Sequence, residues 1–120
     1  MTESRAALGR LGEDLAAAHL RDCGMRVLDR NWRCGAGELD IVAMDAGGVV
    51  VCEVKTRSTD AFGQAVSAVG PDKTRRLRRL AILWLREHGL SGTPVRFDVI
   101  GVLVSGRGRP VIDHRRGVIW

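Results

Sequence analysis

Residues 38–57 read ELDIVAMDAGGVVVCEVKTR, with Glu38 and Asp40 at one end of an apolar run and Glu53 and Lys55 at the other. Between them, Asp45-Ala46-Gly47-Gly48 suits a hairpin turn. With the turn centred on Ala46-Gly47, residues whose numbers sum to 93 face each other, so Asp40 meets Glu53 and Glu38 meets Lys55. Side chains alternate along a strand, which places Glu38, Asp40, Glu53 and Lys55 on one face. Directly opposed residues bring their Cβ atoms to roughly 4.5–5.5 Å.

Opposed carboxylates destabilise a sheet unless something neutralises them. The rest of that face is Val42, Met44, Val49 and Val51, which expects burial. Lys55 offsets one acid but not three. A divalent cation satisfies the pair, and carboxylate oxygens with water make the hard site that Mg²⁺ prefers, completed by a substrate phosphate. A plainer reading stands beside this one: an exposed salt-bridge ladder at the open end of the hairpin, with Lys55 and Arg57 balancing the acids. A register slip or a bulge would also undo the pairing.

The elements that must hold these groups follow from periodicity. Residues 4–23 read as a helix stopped by Gly24, with one row at Leu8, Leu11, Leu15 and Ala18 and a second at Glu13, Ala16, Ala17 and Leu20. The second row sets a carboxylate at the edge of a small-residue face, where a neighbour can approach closely. Strand patterns cover Met25–Trp32, Glu38–Met44 and Val49–Lys55. Residues 57–70 read as loop with a short helical piece. From Pro71 to Gly89 a helix carries the stripe Leu77, Leu80, Ala81, Trp84, Leu85. Val95–Val104 is strand-like, Ser105–Pro110 a basic glycine loop, and Val111–Trp120 has room for a last short strand. The expected fold is therefore α/β in the α+β sense, in the order α-β-β-β-α-β with an extra strand allowed. A helical crossover between strands implies a mixed central sheet flanked by helices.

The 120 residues suffice for one domain, 1–120, with a real core. Nineteen Lys+Arg against 14 Asp+Glu give a formal charge of +5, which favours a polyanionic partner, nucleic acid first. Cys23, Cys34 and Cys52 form no C-x-x-C pair and are odd in number, which argues against a disulfide framework and for buried small side chains in a reducing, cytoplasmic setting. Neither a signal peptide nor a membrane span is read from the chain.

At this point the residues resemble a known pattern. Asp40, a hairpin, then Glu53-Val54-Lys55 resembles the D…(D/E)-x-K signature of restriction-endonuclease-like nucleases. More closely, the chain is similar to the YraN-like bacterial family, for which endonuclease activity has been suggested. The resemblance rests on Gly12-Glu13-x-x-Ala16, Asn31-Trp32-Arg33, Gly37-Glu38-Leu39-Asp40, Glu53-Val54-Lys55-Thr56-Arg57, the helix bearing Lys73, and Arg96-Phe97-Asp98. It implies a restriction-endonuclease-like core and Mg²⁺-dependent hydrolysis of DNA, including branched or junction DNA, with Mn²⁺ able to substitute. Asp40, Glu53 and Lys55 would be catalytic. Glu13, Asp40, Glu53 and the Val54 carbonyl would hold the metal, while Lys55 orients or deprotonates water. Thr56, Arg57 and Gln64 would contact phosphates; Glu38 belongs to the family pattern without an assigned role. The competing reading is a nucleic-acid-binding or scaffold protein that keeps this fold without turnover, and RNA stays open as the substrate.

Outside the hairpin, residues 73–86, KTRRLRRLAILWLR, hold six basic side chains. Lys73, Arg75, Arg76 and Arg79 form a candidate phosphate-tracking surface, with Arg75, Arg79 and Arg86 opposite the apolar stripe. Ile82 and Leu83 lie off that stripe and suggest a second buried side or a homodimer contact. His19, His88 and His114 show no metal-ligand spacing, and Trp32 and Trp84 read as core.

Overall fold

A computed structural model describes residues 5–58, 70–104 and 108–119. The order is α1 (Arg5–Asp22), β1 (Arg26–Cys34), β2 (Gly37–Asp45), β3 (Gly48–Arg57), α2 (Pro71–Glu87), β4 (Val95–Leu103) and β5 (Val111–Ile119). The α-β-β-β-α-β order thus holds with the extra strand, and β5 is a full strand of nine residues rather than a short one. Most of the expected 57–70 loop, Gln64 with it, and the Ser105–Arg107 part of the glycine loop lie outside the described residues.

Five strands form one mixed sheet in the order β1-β2-β3-β4-β5. All neighbours are antiparallel except β3 and β4, which the α2 crossover makes parallel. Among the described residues, each face of the sheet carries one helix. Leu77, Leu80, Ala81, Trp84 and Leu85 of α2 pack on Leu39, Val42, Val49, Val51 and Phe97. On the other face, Ala16, Ala17 and Leu20 of α1 pack on Ile41, Ala43, Val50, Cys52, Ile100 and Val102. The buried face of α1 is therefore the small-residue row; Leu11 of the other row is 39% exposed. Small side chains win here because they let the helix axis come close to the sheet.

Both helices end in the same way. The Met25 amide donates to the Leu20 carbonyl at 3.0 Å and the Leu90 amide to the Leu85 carbonyl at 2.8 Å. Gly24 and Gly89 supply the positive φ, +87° and +67°, that this termination requires.

The hairpin turns where the sequence placed it. Asp45 pairs with Gly48 across Ala46-Gly47, and the Asp45 carboxylate accepts the Gly47 amide at 2.8 Å. At Gly48 a Cβ would lie 2.4 Å from the Pro94 carbonyl oxygen, so only glycine fits against the segment entering β4. The register sum of 93 holds from Asp45–Gly48 to Ile41–Cys52, and there the β2–β3 ladder ends.

β2 also breaks its own alternation at that point. Leu39 and Val42 both face α2, whereas Ile41 faces α1, so the pleat slips by one step at Asp40. Across from it on β1, Asn31 adopts φ +53°, while Arg30–Ile41 and Trp32–Leu39 remain paired on either side. The two strands bend together, and the bend sits where the acids are.

Candidate active site

Asp40 stands at the split between β2 and β3. Its Oδ2 accepts the Val54 amide at 2.9 Å. Had the register of 93 continued, that amide would have met Leu39; the side chain of Asp40 takes the place of the Leu39 carbonyl instead. N–H and C=O of one strand residue point to the same side, so the Val54 carbonyl opens toward the same split.

The acids do not share one face as alternation alone predicts. Because of the slip at Asp40, Glu38 turns toward α1 and does not pair with Lys55. It is opposite Arg33 on β1 and accepts a hydrogen bond from Arg33 Nε at 2.5 Å. There it joins Glu13: one carboxylate oxygen each of Glu13, Glu38 and Asp40 lie within 4.8 Å of one another. Glu38, which the sequence pattern left without a task, is thus a member of the acid cluster. Its signal was present in Gly37-Glu38-Leu39-Asp40, but only the bend reveals the side on which it falls.

Glu53 and Lys55 stay on the α2 side of the sheet. Glu53 Oε1 accepts a hydrogen bond from Lys73 Nζ at 2.6 Å, and Lys55 Nζ lies 3.6 Å from the same oxygen. Lys73 is therefore a partner of Glu53 at the site, not part of the exposed arginine face. The site is built from both layers: Glu13 from α1, Glu38 and Asp40 from β2, Glu53 and Lys55 from β3, Lys73 from α2.

Glu13 reaches the cluster because its neighbour is glycine. Gly12 packs so tightly on β3 that a Cβ would sit 1.8 Å from Thr56 Oγ1. Thr56 consequently supports α1 as well as lining the approach. A cleft of about 720 Å³ opens here, lined by Arg5, Gly9, Glu13, Val54, Thr56 and Arg57 among others.

The electrostatics match a site that wants a cation. Burial first, then the charge of Glu53, with smaller contributions from Glu13 and Glu38, push the Asp40 carboxyl up to about 7 against the opposing Val54 hydrogen bond. Lys55 is lowered, chiefly by burial and next by the adjacent Lys73 amine, while Glu53 opposes the shift. For Lys73 burial pulls down, but hydrogen bonding and charge from Glu53, with Lys55 and Asp40, outweigh it and hold the pKa above its ordinary value. Of the two lysines, Lys55 is the one prepared to lose a proton.

The other sequence expectations fall into place unevenly. Arg75, Arg76, Arg79 and Arg86 are all exposed on α2, and a groove of about 420 Å³ runs between Arg75, Arg76 and Arg79 and the β1–β2 turn at Gly35-Ala36. Ile82 is 56% exposed, so the expected second buried side is not formed there among the described residues. Trp84 is core, with its Nε1 donating to Asp29 at 3.0 Å; Trp32 is half-buried and donates to Glu87. Only Cys52 is a buried cysteine, with Cys34 intermediate and Cys23 exposed. The histidines are not all scattered: His19 Nε2 lies 3.0 Å from His114 Nδ1. No helix among the described residues is long and apolar enough to cross a membrane.

Comparison with known proteins agrees with this frame. The model of uncharacterised protein family UPF0102 matches residues 12–102, from Gly12 in α1 to Val102 in β4. A UPF0102 protein of Streptomyces griseus is 58% identical over 96% of this chain and 98% of its own. One from Mycobacterium sp. strain JLS is 57% identical over 98% of this chain and 88% of its own. Another, from Acidothermus cellulolyticus, is 51% identical over 95% and 94%. With a matched segment that contains the whole acid cluster and relatives that align almost end to end, the chain belongs to uncharacterised protein family UPF0102.

Proposed function

We propose that this protein is a Mg²⁺-dependent endonuclease that hydrolyses phosphodiester bonds in DNA. The observation that carries the reading is the convergence of Glu13, Glu38 and Asp40 within 4.8 Å, beside Glu53 and Lys55, where the sheet opens. Three carboxylates and a nearby backbone carbonyl are hard oxygen donors, the set that suits Mg²⁺ or Mn²⁺. Such a cation, when bound, supplies Lewis-acid polarisation of a phosphoryl oxygen and lowers the pKa of water.

The chain's own residues account for the rest. Glu13, Glu38 and Asp40 would hold the cation, and Asp40, pushed up to about 7, would give up its proton on binding it near neutral pH. Glu53 keeps Lys55 and Lys73 beside the split. Lys55, lowered by burial, takes a proton from the attacking water or, charged, steadies the developing charge on the phosphate. Thr56 and Arg57 line the cleft leading to Glu13 and contact the phosphate backbone there. The arginines of α2 add sequence-independent attraction for the strand.

The test is a cleavage panel of linear, flapped, gapped and four-way DNA with Mg²⁺ or Mn²⁺, using wild type and Asp40→Ala, Glu53→Ala and Lys55→Ala. Cleavage in wild type and its loss in all three variants and in chelator is expected. Activity surviving the three substitutions would overturn the mechanism. One observation favours a second reading, binding without turnover: Lys73 already occupies Glu53 at 2.6 Å. That reading predicts salt-sensitive DNA binding with no cutting of any substrate in the panel.

A further inference from the structure

A second group of ligating side chains lies away from the acid cluster, at the C-terminal end of α1. His19 and Cys23 are four residues apart, which puts them on one side of a helical turn. The β5 strand brings His114 against them. His19 Nε2 is 3.0 Å from His114 Nδ1 and 3.7 Å from Cys23 Sγ, and the three donor atoms all lie within 4.8 Å of one another.

The orientation of His114 is fixed from behind. Its Nε2 is 2.7 Å from Asp98 Oδ2. The Asp98 side chain is wholly buried; it also accepts Arg96 Nε at 2.9 Å and the Gly117 amide at 3.1 Å. An acceptor so well supplied with donors is a carboxylate, so His114 carries its proton on Nε2. Nδ1 is left as a lone pair facing His19 and Cys23. A carboxylate behind a histidine whose other nitrogen faces a ligand group is the arrangement that orients imidazoles on zinc.

The donor spacing is that of a coordination sphere. Tetrahedral zinc with Zn–N near 2.0 Å and Zn–S near 2.3 Å places two nitrogens about 3.3 Å apart and a nitrogen and sulfur about 3.5 Å apart. The observed 3.0 Å between the nitrogens and 3.7 Å between His19 Nε2 and Cys23 Sγ each lie within about 0.3 Å of those values. Cys23 is exposed to solvent, and its 3.7 Å contact is with the same His19 nitrogen that meets His114. His19 Nε2 can give one proton to His114, and nothing remains at that nitrogen for the cysteine sulfur.

We propose that His19, Cys23 and His114 form a binding site for a thiophilic transition metal of the Zn²⁺ class, distinct from the hard-oxygen site at Asp40. A thiolate and two imidazoles select such a metal over Mg²⁺. Cys23 releases its proton to solvent on ligation. Three protein ligands leave the fourth tetrahedral position to solvent or an incoming group. The site clamps the end of α1 to β5 and, through the buried Asp98, to β4 and its Arg96.

The experiment titrates reduced, metal-free full-length protein with Co²⁺, followed by Zn²⁺ competition. Wild type should develop a thiolate-to-cobalt charge-transfer band that saturates at about one equivalent. Cys23→Ser should lose the band and bind Zn²⁺ at least about tenfold more weakly; His19→Gln should keep the band and show a similar weakening. Asp40→Asn should change neither, which separates this site from the acid cluster. Circular dichroism of each variant confirms that it is folded, and both substituted side chains lie at the surface end of α1. The absence of a band in wild type, its persistence in Cys23→Ser, or unchanged Zn²⁺ affinity in either variant overturns the proposal.

Discussion

The Asp40 carboxylate accepts the Val54 amide at 2.9 Å in the position where the β2–β3 ladder would otherwise have placed the Leu39 carbonyl. A side chain thereby closes the ladder, and the strands part immediately beyond it. The parting gives Glu13 access from α1 and Lys73 access from α2, so a local exchange of one hydrogen bond creates the site. It also leaves a carboxyl half out of water among other acids.

That position predicts a pH-dependent stability in the absence of metal. The folded-state pKa of Asp40, about 7, lies above its ordinary 3.8. A raised carboxyl stabilises the fold while protonated, so the contribution is present below the unfolded value and lost as pH rises toward and through 7. The limit is on the order of 4 kcal/mol, reduced by solvent at the mouth of the site. Metal-free Asp40→Asn, which retains an acceptor for Val54, should be more stable than wild type at pH 8 and should match it near pH 4. Denaturant titrations at both pH values measure this, and Mg²⁺ should recover stability at pH 8 only in the wild type.

Lys73 predicts a separation of cation affinity from catalysis. It makes the shorter contact with Glu53, 2.6 Å against 3.6 Å for Lys55, and so competes with any cation that recruits that carboxylate. Lys73→Met should bind Mn²⁺ as tightly as wild type or more so. Lys55→Met should leave Mn²⁺ binding intact and reduce cleavage by about 10²–10⁴-fold, the worth of a positioned proton-transfer group. Calorimetry and single-turnover cleavage on the same preparations distinguish the two effects.

Gly12 tests the close approach of α1. Alanine is about 1 kcal/mol better than glycine inside a helix. Here its Cβ would lie 1.8 Å from Thr56 Oγ1, with the rest of Thr56 also inside contact distance. Overpacking of that kind costs about 1–3 kcal/mol, so the clash outweighs the propensity gain. Gly12→Ala should lower Tm and, by displacing Glu13, weaken Mn²⁺ binding; Gly12→Ala with Thr56→Ser, which removes the Cγ2 methyl, should recover part of both.

What the sequence disclosed was the frame. The stripe Leu77, Leu80, Ala81, Trp84 and Leu85 and the turn at Ala46-Gly47 are local, periodic signals and are found as read. The β2–β3 register of 93, however, holds only from Asp45–Gly48 to Ile41–Cys52, so the expected pairs Asp40–Glu53 and Glu38–Lys55 do not form. The slip at Asp40 was illegible because period two assumes an unbroken pleat, while Asn31 on the neighbouring strand takes φ +53°. Glu38 was therefore set on the wrong side. The meeting of His19 with His114, 95 residues apart in sequence, depends on β5 joining the sheet edge, and no spacing rule spans that distance.

The arginine groove on α2 makes the last prediction. Arg76 and Arg79 are exposed and, with Arg75, face the β1–β2 turn at Gly35-Ala36 across an open groove on the helix that also carries Lys73 to the site. Each phosphate contact contributes about 0.7–0.9 to the slope of log affinity against log salt, depending on whether the DNA is single- or double-stranded. Arg76→Ala and Arg79→Ala should each weaken binding by a similar factor for unrelated DNA sequences, and the double variant should flatten the slope by about 1.4–1.8. Arg10→Ala, on the exposed side of α1, should leave the slope unchanged. Fluorescence anisotropy across a salt series reads all five proteins; equal slopes for wild type and the double variant would place the nucleic acid on another surface.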